Sequence, residues 1–176
     1  MASELFVETL KGLTSGANAN KVIIPSGQTL EAPGVILQIL EFSPSADAAT
    51  SSTSFVDSNH TLSITPTSTS SKILITFEAP IRLSGTDRVR GGVRIQRDGS
   101  SLFTGYQEER QLHSSSAGSS TEFTNPTIKT YLDSPNTTSS VTYTVQHIAA
   151  TSSVTSRIYG TAAGGVSVLR LMEIAG

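Results

Sequence analysis

The sequence predicts an all-β protein: an antiparallel β-sandwich of jelly-roll type over residues 35–176, preceded by an extended N-terminal arm over residues 1–34. Three observations predict it. Serine and threonine exceed a quarter of the 176 residues, while charged residues make up 15%. That balance suits pleated, half-buried surfaces and turns, and it disfavours helices. From Val35 onward, about eight to ten short strand-like runs follow one another at the spacing of a sandwich or barrel. No stretch carries a capped 3.6-residue period.

The arm is read first. Ser3 to Leu13 alternates weakly, Thr14 to Asn20 is small and polar, and Lys21-Val22-Ile23-Ile24 is a brief strand-like run closed by Pro25-Ser26-Gly27. Such a segment cannot satisfy its own backbone and needs a partner to order it. Val35 to Phe42 is a continuous apolar run, expected to be the first buried strand. Ser43 to Ser52 is expected to be a loop, Thr53 to Asp57 a short strand and Asp57-Ser58-Asn59 a turn. Thr61 to Thr65 alternates, with Leu62 and Ile64 on one face, until Pro66 ends it.

Lys72 to Glu78 alternates again with Ile73, Ile75 and Phe77 inward, and Pro80 lies near its expected end. Arg88 to Arg97 places Val89, Val93 and Ile95 on one face and Arg88, Arg90 and Arg94 on the other. Asp98-Gly99 is the strongest hairpin signal, because a tight I′ turn needs positive φ at both positions; Leu102 to Tyr106 is the return strand. Glu108 to Ser120 reads as a polar, exposed loop. Strands follow at Thr127 to Leu132, Val141 to Ile148, Ser156 to Gly160 and Val166 to Ile174, separated by turns at Asp133 to Asn136 and Thr161 to Gly165.

Composition excludes several function classes. With no cysteine, disulfide staples, thiolate chemistry and a zinc finger are out. A formal net charge of −2 disfavours broad nucleic-acid binding. No run approaches a membrane span, and no basic n-region precedes an apolar h-region, so neither membrane insertion nor secretion is expected.

Several phrases carry a resemblance: Gly16 to Leu30, Thr53-Ser54-Phe55-Val56-Asp57, Leu62-Ser63-Ile64-Thr65-Pro66 with Ser70 to Leu74, Leu132 to Thr138 with Val141-Thr142-Tyr143, and the ending Leu171-Met172-Glu173-Ile174. In this order they resemble fibre and structural proteins of marine tailed bacteriophages over nearly the whole chain. The resemblance implies a virion surface protein, a homotrimer, with an arm that docks on other virion proteins of the tail or capsid through Lys21, Val22, Ile23 and Ile24. Such proteins carry a β-rich head, and no extended shaft separates arm from head here. A short fibre for host attachment and a capsid decoration protein both remain open.

The residue chemistry names no enzyme and no cofactor. Glu108 and Glu109 are adjacent, so on a strand they point to opposite faces and cannot flank a glycosidic bond. His60, His113 and His147 show no metal-ligand spacing. Gly91-Gly92 reads as a bulge or a close backbone approach. The Arg88, Arg90 and Arg94 row, with Arg82 and Arg97 nearby, has two readings: a site for an anionic host-surface glycan, or a strand surface paired with Glu108, Glu109 or Glu122. Tyr143 belongs to the core; Tyr106, beside the Glu108 to Ser120 loop, is the exposed aromatic. The candidate receptor contacts are therefore Arg88, Arg90, Arg94, Tyr106 and His113, at the loop end of a rigid scaffold.

Overall fold

The computed structural model describes residues 32–86, 88–102, 112–113, 120–164 and 166–176. Contacts divide the chain into two units, Met1–Ala32 and Pro33–Gly176; every described strand belongs to the second. Lys21 to Ile24 and Tyr106 lie outside the described residues. The described chain is all-β apart from one 3-10 turn at Thr161–Ala163. Two antiparallel sheets pack face to face, as a sandwich requires.

The larger sheet is organised by β4 (Lys72–Thr86). Along one edge of β4 runs β9 (Ser120–Asp133), paired from Ile73 opposite Asp133 to Thr86 opposite Ser120. The other edge is shared in tandem: β12 (Val168–Ile174) pairs with residues 72–78 and β11 (Val154–Ile158) with residues 81–85. Beyond them lie β1 (Ile36–Phe42), against β12, and β2 (Ala48–Thr50), against β11. The smaller sheet has the order β3 (Val56–Ile64), β10 (Val141–Ala149), β6 (Gly91–Arg97), β7 (Ser100–Ser101). A two-stranded ribbon pairs β5 (Arg88–Val89) with β8 (Leu112–His113).

The alternating runs bury the predicted side chains. Ile73, Ile75 and Phe77 from β4 are fully buried, and they meet Val93 and Ile95 from β6 and Val141, Tyr143 and Val145 from β10 in one cluster. Each such aliphatic or aromatic side chain contributes about 1.5–3 kcal/mol on burial. The Asp98-Gly99 signal is also met: Asp98 has φ 48° and Gly99 φ 80°, and Arg97 pairs with Ser100 across a two-residue turn.

Several expectations about individual elements fail: the loops expected at Ser43 to Ser52 and Glu108 to Ser120 each carry a short strand, β2 and β8, and three further differences have a tertiary reason. β1 is an edge strand, with Ile36 50% and Ile39 54% exposed; an apolar run marks a strand without saying how many layers cover it. β4 does not end near Pro80 but continues to Thr86. Pro80 sits where the neighbouring strand changes from β12 to β11, and its carbonyl, on that same edge, accepts the Tyr159 N–H (3.3 Å). The missing proline N–H therefore breaks no rung. Asp57-Ser58-Asn59 is no turn but part of β3, where the register with β10 slips between Thr144 and Gln146. Strand alternation turns both Ser58 and His60 toward the core, on the face of Leu62 and Ile64.

The outer faces of the sheets differ. On the smaller sheet the outer face is polar, with Thr61 and Ser63 hydroxyls bonded to those of Thr144 (3.2 Å) and Thr142 (2.8 Å). The outer face of the larger sheet is split. Where β1, β12, β4 and β9 lie side by side, Ile39, Met172, Leu74 and Leu132 form one cross-strand row, flanked by Ile36 and Ile174. Along the β11 half the outward residues are polar, including the Arg82–Glu122 and Arg157–Asp47 ion pairs.

Candidate functional site

A small half-open cleft, with room inside of only about 20 Å³, lies between the sheets, lined by Ile81 and Leu83 of β4, Phe123, Asn125 and Thr127 of β9, and Gly91 to Val93 of β6. Its wall follows from register. Leu83 stands opposite Phe123, Ile81 opposite Asn125 and Ala79 opposite Thr127, so the inward-facing residues of β9 line one side. The facing strand carries glycines because the backbone must come close: a Cβ on Gly91 would lie 2.5 Å from Leu83 Cδ2 and 2.9 Å from the Ile148 carbonyl oxygen. Gly91 is thus a close backbone approach, one of the two readings the sequence offers for Gly91-Gly92. The cleft wall carries one aromatic ring, an amide and a hydroxyl among apolar side chains.

The ribbon adjoins this cleft. Val89 of β5 is fully buried in a satellite cluster with Leu83, Ala149 and Val154, against which Ile81 also packs. Its neighbour Arg88 stands in register with His113 on β8. Two of the expected receptor contacts, 25 residues apart in sequence, are therefore backbone neighbours at the cleft end of the head; their side chains lie outside the described set. The remaining arginines do not form one open row. Arg94 is half-buried, its Nε donates to Gln146 Oε1 (2.6 Å) and its guanidinium stacks over the Phe55 ring (4.3 Å). Arg90 is half-buried at the junction of β5 and β6, where its carbonyl accepts the Ala150 N–H (2.9 Å). Arg82 pairs with Glu122, one of the acidic partners anticipated for the row.

Arg97 turns away to a buried network. Its Nη1 donates to both oxygens of Asp133 (2.9 and 2.7 Å), and the Tyr143 hydroxyl donates to Asp133 Oδ2 (2.7 Å). Burial, and then the hydrogen bond to Asp133, push the Tyr143 pKa well above the ordinary phenol value. A second buried carboxylate, Glu173, accepts from Gln38 Nε2 (2.6 Å) and from the Thr67 N–H and hydroxyl (both 2.7 Å). Burial alone would raise its pKa; these donors outweigh burial and hold it below the usual carboxylate value.

Among the described residues, no three His, Asp or Glu side chains gather in a way that can hold a metal ion. No described helix is long and apolar enough to cross a membrane. The cleft residues Phe123, Asn125 and Thr127 escape sequence reading because polar and aromatic residues on a strand give no sign of facing an open gap between sheets. No protein-family model and no curated protein matches the sequence.

Proposed function

We propose that this chain is a virion surface protein of a tailed phage: a short, non-enzymatic trimeric fibre whose arm docks through Lys21 to Ile24 and whose head attaches to the host surface. The phage assignment rests on the sequence resemblance. The observation that carries the attachment reading is the cleft at the Arg88–His113 end, where a Phe123 ring lies beside the polar groups of Asn125 and Thr127. An aromatic ring flanked by an amide and a hydroxyl suits the apolar face and hydroxyls of a sugar.

Binding of the purified chain to host cells tests this. Phe123→Ala together with Asn125→Leu should abolish binding while leaving the melting transition cooperative; a folded variant that binds like the wild type overturns the glycan reading.

One observation favours the alternative, in which the same head decorates the capsid shell: the apolar row Ile39, Met172, Leu74 and Leu132 on the outer sheet face. A patch of this kind is a contact surface for another protein. In the fibre reading it joins copies in the trimer, and Ile39→Lys with Leu132→Lys should then yield monomers by sedimentation. Unchanged trimers from that variant would move the trimer contact elsewhere on the chain. Copy number separates the two roles, since a decoration protein is present in far more copies per virion than a tail fibre.

A further inference from the structure

His60 on β3 and His147 on β10 are each only 1% exposed, and both lie in the inter-sheet core. Their surroundings are built for neutral rings. His60 stands edge-on to the Phe77 ring at 5.1 Å. Its Nε2 lies 2.9 Å from Ser167 Oγ and its Nδ1 3.3 Å from Ser58 Oγ. Ser58 Oγ also accepts the His60 backbone N–H (3.2 Å). The arrangement that satisfies all these groups has Ser58 donating to Nδ1 and Nε2–H donating to Ser167, which is a neutral imidazole. His147 Nδ1 is 3.2 Å from Ser156 Oγ. Serine beside histidine resembles a nucleophile–base pair, but Ser156 and Ser167 are fully buried, so no substrate reaches them.

Among the described residues no carboxylate is bonded to either ring, and Asp47, beside β2, is committed to the Gly160 N–H and Arg157. On the strands packed around the pair, Asp57, Glu78, Arg82, Arg94, Arg157 and Arg170 occupy outward positions. Inward-facing Glu173 is six residues along from Ser167, about 20 Å in strand geometry, and is committed to Gln38 and Thr67. Inward-facing Asp133 is committed to Arg97 and Tyr143. A proton added to either imidazole would place an uncompensated charge between the sheets, and a second would face the first.

We propose that the His60–His147 pair is an acid latch: it holds the two sheets together while both rings are neutral, and protonation loosens the sandwich. Burial holds both rings at about 4, well below the ordinary 6.5, with His147 adding to the effect on His60. The folded state therefore binds fewer protons than the unfolded chain throughout this window, so the contribution is complete above pH 6.5 and is lost as pH falls toward 4. The carboxylate Glu173, held low, gives up its contribution only below the usual 4.5, which leaves the window from 6.5 to 5 to the histidines.

The test uses the full chain at constant protein concentration. Between pH 6.5 and 5, the unfolding constant of the wild type should rise by about 15-fold per buried ring, hence by about 200-fold for the pair. The double variant His60→Gln, His147→Gln should lose most of that rise. A double variant that keeps the full wild-type pH dependence overturns the proposal. Should that variant fail to fold, the wild-type imidazole resonances decide: two rings that stay neutral in the folded protein down to near pH 4 support the latch, and rings that titrate near 6.5 while the fold persists overturn it.

Discussion

Two polar clusters lie between the sheets, one fully buried and one reaching solvent through Arg97, and they solve the same problem in opposite ways. At the Asp133 end a charge is kept: the carboxylate meets Arg97 and the Tyr143 hydroxyl. At the His60–His147 end charge is avoided: the rings are neutral and serine hydroxyls supply their partners. The first solution gives the carboxylate a cation and a hydroxyl donor. The second is sound only while the rings remain deprotonated. A buried polar group thus sets the conditions under which a fold is stable, as well as how stable it is.

The largest effect should come from breaking the charged cluster. Asp133→Ala leaves the buried Tyr143 hydroxyl without its acceptor and the part-exposed Arg97 guanidinium to solvent, and it should cost about 3 kcal/mol in urea unfolding. A loss below about 1 kcal/mol would mean that the cluster contributes no more than a surface ion pair. Glu173→Gln sharpens the comparison next. Because the folded-state pKa of Glu173 is depressed, its contribution is present above the usual 4.5 and is lost as pH falls through its lower folded value. The glutamine variant should be less stable at pH 7 by about 1–3 kcal/mol, and it should show a flatter pH dependence below 4.5 with the 6.5-to-5 limb intact. Loss of that upper limb in the Glu173 variant would tie the limb to the carboxylate instead of the rings.

Tyr143→Phe removes one hydrogen bond to Asp133 but leaves the ring packed and the ion pair whole, so about 1.5 kcal/mol is expected. The smallest change should come from the solvent side of the smaller sheet. Thr61→Ala cuts the hydroxyl contact to Thr144, where water replaces the partner, and melting should report no more than about 0.5 kcal/mol. A larger loss there would show that the outer hydroxyl rows bear on stability as the interior clusters do.

Much of the head was legible from the chain alone. Ile73, Ile75 and Phe77 alternate because one face of β4 is buried, and the period of two reports that face directly. Asp98-Gly99 specifies a turn because few other pairs accept two positive φ angles. Tyr143 could be assigned to the core from its place between Val141 and Val145. The site was less legible. Arg94 appears in sequence as one of a row of exposed arginines, yet the groups that hold it, the Phe55 ring just before β3 and Gln146 on β10, lie far away in sequence. His60 and His147 look isolated because 86 intervening residues separate two strands that are neighbours in the smaller sheet.

Local chemistry in the chain specified strands, their inward faces and one hairpin, since each of these is a property of a few consecutive residues. It could not specify which strands border an edge, where Pro80 is harmless, or which polar groups share a pocket of low dielectric. Those follow from strand order and register, which set distances between residues far apart in sequence. The neutral histidine pair, the Asp133 network and the glycine-lined cleft all arise at that level, because hydrogen bonding and desolvation depend on the spatial neighbours that two packed sheets bring together.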